Sequence, residues 1–169
     1  MPPRRNQKST AAIRLLREAL EQAYRRRTWH GTNLRGSLRG LTPRMALWRP
    51  APGRHNIWEE TLHAAYWKFA VRNRLMGGRR GNFPLKGSNW FASPKAAPEK
   101  EWKQAVALLE ATHRALCAAV EEVPRMSLNR PVTGSKWSAF DSILGAAFHD
   151  IYHAGQIQLL KRLQKSAAR

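Results

Sequence analysis

The feature that most narrows the fold is an apolar spacing of three and four residues that recurs in four separate stretches of the chain. In the first, about Thr10 to Arg27, Ile13, Leu16, Leu20 and Tyr24 form one apolar stripe with arginines opposite. Thr10 is its candidate N-cap. The second runs from about Asn56 to Met76. It sets Leu62, Tyr66, Phe69 and Ala70 near one face, carries Ile57 and Trp58 at its start, and ends at Gly77-Gly78. The third, about Pro98 to Val123, keeps Trp102, Val106, Leu109, His113, Leu116 and Val120 in helical register. Pro98 opens it and Pro124 lies just past its end, both places where proline is tolerated. The fourth, about Ser138 to Leu163, carries Ile143, Ala147, Ile151, Leu159 and Leu163, with Ser138 or Asp141 as its cap. Four amphipathic helices with little strand signal predict an all-α four-helix bundle.

Two connections are long. Residues 28–55 are punctuated by Gly31, Gly36, Gly40, Pro43, Pro50, Pro52 and Gly53. Within them Leu34 to Leu41 reads as a short helical turn, and Thr42-Pro43 as the start of another. Residues 77–98 hold no sustained period and read as a loop pinned by Phe83, Trp90 and Phe91. Connections of this length in a small domain wrap over the core or carry function. The chain of 169 residues suits one domain over 1–169, with a core from about 10 to 164 and flexible ends at 1–9 and 165–169.

Composition removes several classes. Cys117 is the only cysteine, so neither an internal disulfide nor a thiolate metal cluster is available, and a reducing compartment is favoured. Charged residues break up the apolar stretch that begins at Ala11, so no secretory h-region is expected. No window approaches the roughly 20 apolar residues of a membrane span. A cytoplasmic protein without a membrane partner is predicted. The net charge of +19 invites a nucleic-acid reading, but the bases are dispersed. Only Arg25-Arg26-Arg27 and Arg79-Arg80 are tight clusters, and no zinc finger, RNA-binding aromatic signature or helix-turn-helix pair is present. Such charge predicts non-specific, salt-sensitive attraction to phosphate.

Chemistry concentrates in the histidines. His149 and His153 are four residues apart on the fourth helix, rotated by about 40° and separated by about 6 Å along its axis. Two imidazoles so placed can close on one metal ion. The same pair also suits two core-edge histidines with satisfied hydrogen bonds, and spacing leaves both readings open. A third ligand has to come from another helix. His63, between Leu62 and Tyr66 near the buried side of the second helix, would complete a three-nitrogen set. One or more positions would then stay open for water or substrate, as in catalytic sites.

Several strings together resemble the DinB-like superfamily: Trp29-His-Gly-Thr-Asn-Leu34, Arg49-Pro-Ala-Pro-Gly-Arg-His-Asn-Ile-Trp-Glu59, then His63 and Trp67, and Gly145 with His149-Asp-Ile-Tyr-His-Ala-Gly-Gln-Ile157. The resemblance spans about Ile13 to Leu163. It implies a bundle connected up-down-down-up, often a homodimer, with a divalent metal held by one histidine of the second helix and two residues of the fourth. Those ligands correspond to His63, His149 and His153. Some relatives are thiol-dependent transferases or isomerases that use bacillithiol or mycothiol. In the mycothiol-dependent maleylpyruvate isomerases the first ligand of the fourth helix is a carboxylate, whereas here it is His149.

The expected ion is Zn, Ni or Fe, acting on a water, thiol or carbonyl group of a small-molecule substrate. The catalytic candidates are Glu59, Tyr152 and His30. Glu59 lies four residues before His63 on the same face, placed to orient it or reach the metal, while Glu60 is expected to point elsewhere. Tyr152 and Tyr66 offer hydroxyls, with packing as the plainer role. His30 and His55 flank the long connection and are expected at a mouth over the site. Asp150 makes His-Asp-x-x-His, a near miss to the zincin pattern, and is expected to make a helix-surface bond or support a ligand. His113 is read as a satisfied core histidine, and Gly155 and Gln156 as packing residues. Two functions follow: a metal-dependent hydrolase or thiol transferase, or a basic nucleic-acid-binding or stress-related binding protein whose histidines are structural.

Overall fold

Side-chain caps decide where most of the helices begin. A computed structural model describes residues 11–78 and 82–167 and, among them, six α-helices and no strand. They are α1 (Ala11–Tyr24), α2 (Leu34–Ser37), α3 (Pro43–Leu47), α4 (Ile57–Leu75), α5 (Glu99–Glu121) and α6 (Ala139–Ala167). Asn33 caps α2, accepting from the Gly36 N–H, and Thr42 caps α3, whose first residue is Pro43. Asn56 and Glu59 form a reciprocal capping box at α4, which leaves two otherwise orphaned N–H groups satisfied. Ser138 does the same duty for α6, its Oγ accepting from the Asp141 N–H at 3.0 Å. At the end of α4, Gly77 and Gly78 take positive φ of 79° and 76°, conformations that stop the helix.

The two short helical turns expected in residues 28–55 are present as α2 and α3. Helix α6 continues beyond the Leu163 boundary to Ala167. The stripe assigned to it needs correction at its C-terminal end. Leu159 and Leu163 are exposed, whereas Ile157 and Leu160 are buried. The helical period of 3.6, carried from Ile143 through Ala147, Asp150 and Ala154, reaches Ile157 and passes Leu159 by. Thr10, residues 1–9 and Arg79-Arg80 lie outside the described residues.

The four long helices pack as pairs round a ring, α1 on α5 and α6, and α4 on α5 and α6, in the manner of a helical bundle. Helix α2 covers α6 and α1, and α3 covers α4. The interior holds two apolar clusters. One gathers Tyr24, Leu34, Trp58, Leu62, Phe91, Trp102, Leu109 and Ile157; the other Ile13, Leu16, Leu20, Val71, Leu116, Val120 and Ile143. On each long helix a buried polar residue sits where the chain passes from one cluster to the other: Glu21, Lys68, His113 and Asp150.

These four residues form one hydrogen-bonded layer. Lys68 Nζ pairs with Asp150 Oδ2 and lies 3.4 Å from His113 Nδ1. His113 Nε2 lies 3.4 Å from Glu21 Oε1, and Arg25 donates to both Glu21 oxygens. Burial, reinforced by the Lys68 charge, pushes His113 down to about 3, so its ring is neutral. Burial raises the Asp150 carboxyl, and the Lys68 ammonium opposes that shift. Buried charges persist only when partnered in this way.

Candidate metal centre

Helices α4 and α6 bring three imidazoles together. His63 comes from α4, His149 and His153 from α6, and their facing nitrogens all lie within 4.8 Å of one another. The Nε2 of His149 is 3.1 Å from that of His63 and 3.0 Å from that of His153. The rings of His63 and His153 are buried and that of His149 is half-buried.

The outer nitrogens define what the inner ones can do. His63 Nδ1 donates to the carbonyl oxygen of Asn89 at 2.9 Å, and His153 Nδ1 donates to the Glu60 carboxylate. A ring whose Nδ1 carries the hydrogen presents a bare lone pair at Nε2. Burial, then the neighbouring His153, lowers His63 to about 4; burial, then His153 and His63, lowers His149 to about 3. His63 and His149 are therefore neutral near pH 7, which is the ligating form. Ligand bonds of about 2.0–2.1 Å at angles from 90° to tetrahedral would set neighbouring nitrogens roughly 2.8–3.4 Å apart. The spacings of 3.0 and 3.1 Å fit that range, so these residues could hold a divalent ion.

The connection between α4 and α5 completes the surroundings. Asn89 has φ of 65°, a left-handed conformation that asparagine tolerates better than most residues. That turn aims its carbonyl at His63 while its side-chain oxygen accepts from Trp67 Nε1 at 2.9 Å. Trp90 stacks on His63 at 3.9 Å and on His55 at 3.6 Å, so one indole lies against both rings. Two clefts reach the cluster from different sides. One of about 340 Å³ ends at His149, and one of about 450 Å³ ends at His153 and includes His55, Trp90 and Tyr152.

The sequence-derived candidates land in different places. Glu59 turns away from His63: its carboxylate accepts from Arg49, His55 and the Asn56 backbone. Burial would raise it, but the hydrogen bonds from Arg49 and His55 bring it down to about 2. Glu60, expected to point elsewhere, is buried and holds His153. Being three residues before His63 was the available signal, because that spacing also shares a helix face; the Asn56-x-x-Glu59 string marked Glu59 as a capping residue. Tyr152 is 62% exposed, with its ring edge-on to His153 at 5.0 Å. His55 does line the cleft at His153, whereas His30 lies in a separate depression with Gly155 and Arg162 that includes none of the three histidines. Asp150 is not on the helix surface: it is fully buried against Lys68. His113 is buried with all its ring nitrogens engaged, as expected. Asn89 and Lys68 were missed, since an irregular loop and a charged side chain give no periodic signal.

A second group, Glu21, His113 and Cys117, also converges within 4.8 Å. It fits a metal poorly. The Lys68 ammonium donates to His113 Nδ1, so Nε2 carries the ring hydrogen and donates it to Glu21. Cys117 is also held as a thiol, its pKa raised by burial and by Glu21 to about 11.

Among the described residues no helix is long and apolar enough to cross a membrane. Neither a curated protein nor a solved structure matches the chain significantly. The family model described as DinB superfamily matches residues 24–157, a span that holds α2 to α5, all three clustered histidines and their partners Glu60 and Asn89. On that match, which covers well over half of the chain, the protein belongs to the DinB superfamily.

Proposed function

We propose that His63, His149 and His153 bind one divalent ion and that the protein is a metal-dependent enzyme, a hydrolase or thiol transferase acting on a small molecule. The observation that carries this reading is the pair of outer hydrogen bonds, His63 to Asn89 and His153 to Glu60. They turn two bare nitrogen lone pairs toward the same space that His149 Nε2 faces, the donor arrangement a bound cation needs. Three neutral imidazoles suit Zn, Ni or Fe. When bound, the ion supplies Lewis acidity to a water, thiol or carbonyl group beside it.

The chain's own residues set the rest. Glu60 places one negative charge behind His153 and orients that ring. Asn89 fixes the His63 tautomer, and Trp90 shields the face of His63 from water. The cleft at His149 admits a substrate, and Tyr152 stands at the other cleft with an exposed hydroxyl. Along α1 and α6 the chain passes from the Ile13 cluster to the Tyr24 cluster, and along α4 and α5 the reverse, which supports an up-down-down-up bundle. Phe148, Tyr152, Leu159 and Leu163 form an exposed apolar stripe on α6, which supports a homodimer. The lone buried thiol of Cys117 supports a cytoplasmic location. Four of the 11 acidic residues, Glu21, Glu59, Glu60 and Asp150, are buried, so the surface is strongly basic and any nucleic-acid attraction is electrostatic.

Titration of Co²⁺ into chelator-treated protein, followed by its visible absorption, tests the reading. Saturation at one equivalent, abolished in His149→Ala, is expected. A spectrum unchanged from free Co²⁺ refutes it.

A further inference from the structure

The cleft that ends at His149 has a chemistry of its own, and it deepens the reading above by naming a substrate class. It is a groove between α4 and the start of α6. Trp67 and Val71 line it from α4, and Trp137, Gly145 and Ala146 line it from the α6 side. Most of that surface is apolar, and it offers about 340 Å³, at the small end of the range for small-molecule sites.

Its charged groups are not equivalent. Lys68 is 1% exposed and already paired with Asp150. Asp141 accepts from Ser138. Arg74 is different: its guanidinium lies over the Trp67 ring, 5.7 Å from the centroid, and among the described residues no carboxylate pairs with it. A guanidinium held near an indole and without a carboxylate partner has N–H edges to offer a planar anion. The groove therefore runs from an arginine with no carboxylate partner among the described residues, past two indoles, to the histidine cluster.

Gly145 keeps that path clear. It is a mid-helix glycine at which an added Cβ would meet no atom within 4 Å. Alanine is the better helix former at such a position. A side chain at this position would enter the groove.

We propose that this groove binds a small organic carboxylate with an aromatic or extended apolar body, the carboxylate on Arg74, the body between Trp67 and Trp137, and the far end at His149. Only the role of the far end rests on the metal reading; the affinity for the acid does not.

The test is calorimetric titration of the full-length protein with 2-naphthoate and with 2-naphthamide, an uncharged analogue of the same shape. The acid is expected to bind at least about tenfold more tightly, as a hydrogen bond to a charged partner implies. Arg74→Gln should remove the difference, and Gly145→Leu should weaken both ligands. His63→Ala should lose metal yet keep the preference for the acid. Equal binding of acid and amide, a preference that survives Arg74→Gln, or undiminished binding to Gly145→Leu overturns the proposal. Metal retained in His63→Ala would instead count against the three-histidine site and leave the groove result standing.

Discussion

Asp150→Ala should be among the most damaging single substitutions outside the histidine cluster. In the folded protein the Lys68 side chain is 2% exposed and that of Asp150 is 1%. Without Asp150, the Lys68 ammonium keeps only His113 Nδ1 at 3.4 Å and the Tyr24 ring at 5.0 Å from its centroid. Removing one member of a buried pair typically costs about 3–5 kcal/mol, because the other charge is left uncompensated. For a chain of this size that lowers the melting temperature by roughly 6–20 °C. The double change Lys68→Met with Asp150→Leu replaces the pair by apolar groups of similar volume, and it should recover most of the loss. Urea unfolding at pH 7 of the wild type, Lys68→Met, Asp150→Leu and the double variant closes the cycle, with Asp150→Ala measured beside it. Two single variants that each lose under about 1 kcal/mol and simply add in the double would refute the argument, since they would show that neither charge depends on the other.

The remaining predictions concern the ligands' supports and acid stability. Glu60→Gln keeps an acceptor for His153 Nδ1 but removes the charge behind it; metal affinity should fall about 10–100-fold in a chelator competition. Unchanged affinity would separate Glu60 from the site. Stability should fall on acidification in two stages. His113, held at about 3 against an ordinary 6.5, makes the unfolded chain bind the extra proton, so loss begins below about pH 6.5. Glu21 and Glu59, held at about 2 against 4.5, add to the loss as pH falls below about 4.5. Urea midpoints for metal-free protein at pH 7, 5.5 and 4 should descend in that order, and a flat series would contradict the buried network.

The helices were legible because amphipathic stripes and caps are local. Asn56, Thr42-Pro43 and Gly77-Gly78 mark boundaries with side-chain or backbone chemistry that a linear sequence displays. The histidine pair was legible for the same reason, as a spacing on one helix. What supports the pair was not. Helix α4 is buried on nearly every face over its first half, including Glu59, Glu60 and Thr61, so its inner side does not stand out as an apolar stripe. Lys68 and Asp150 look like solvated charges until α6 is laid against α4. Asn89 acts through a backbone carbonyl, and its contribution is set by φ and not by residue type alone. Tertiary pairing, which supplies the second half of each of these contacts, has no period to read.

The most direct measurement is elemental analysis of the protein purified without chelator, beside His63→Ala, His149→Ala and His153→Ala. About one divalent ion per folded chain in the wild type, and little or none in each variant, is the predicted result. A metal-free wild type, or undiminished metal in the three variants, would contradict a centre built from His63, His149 and His153.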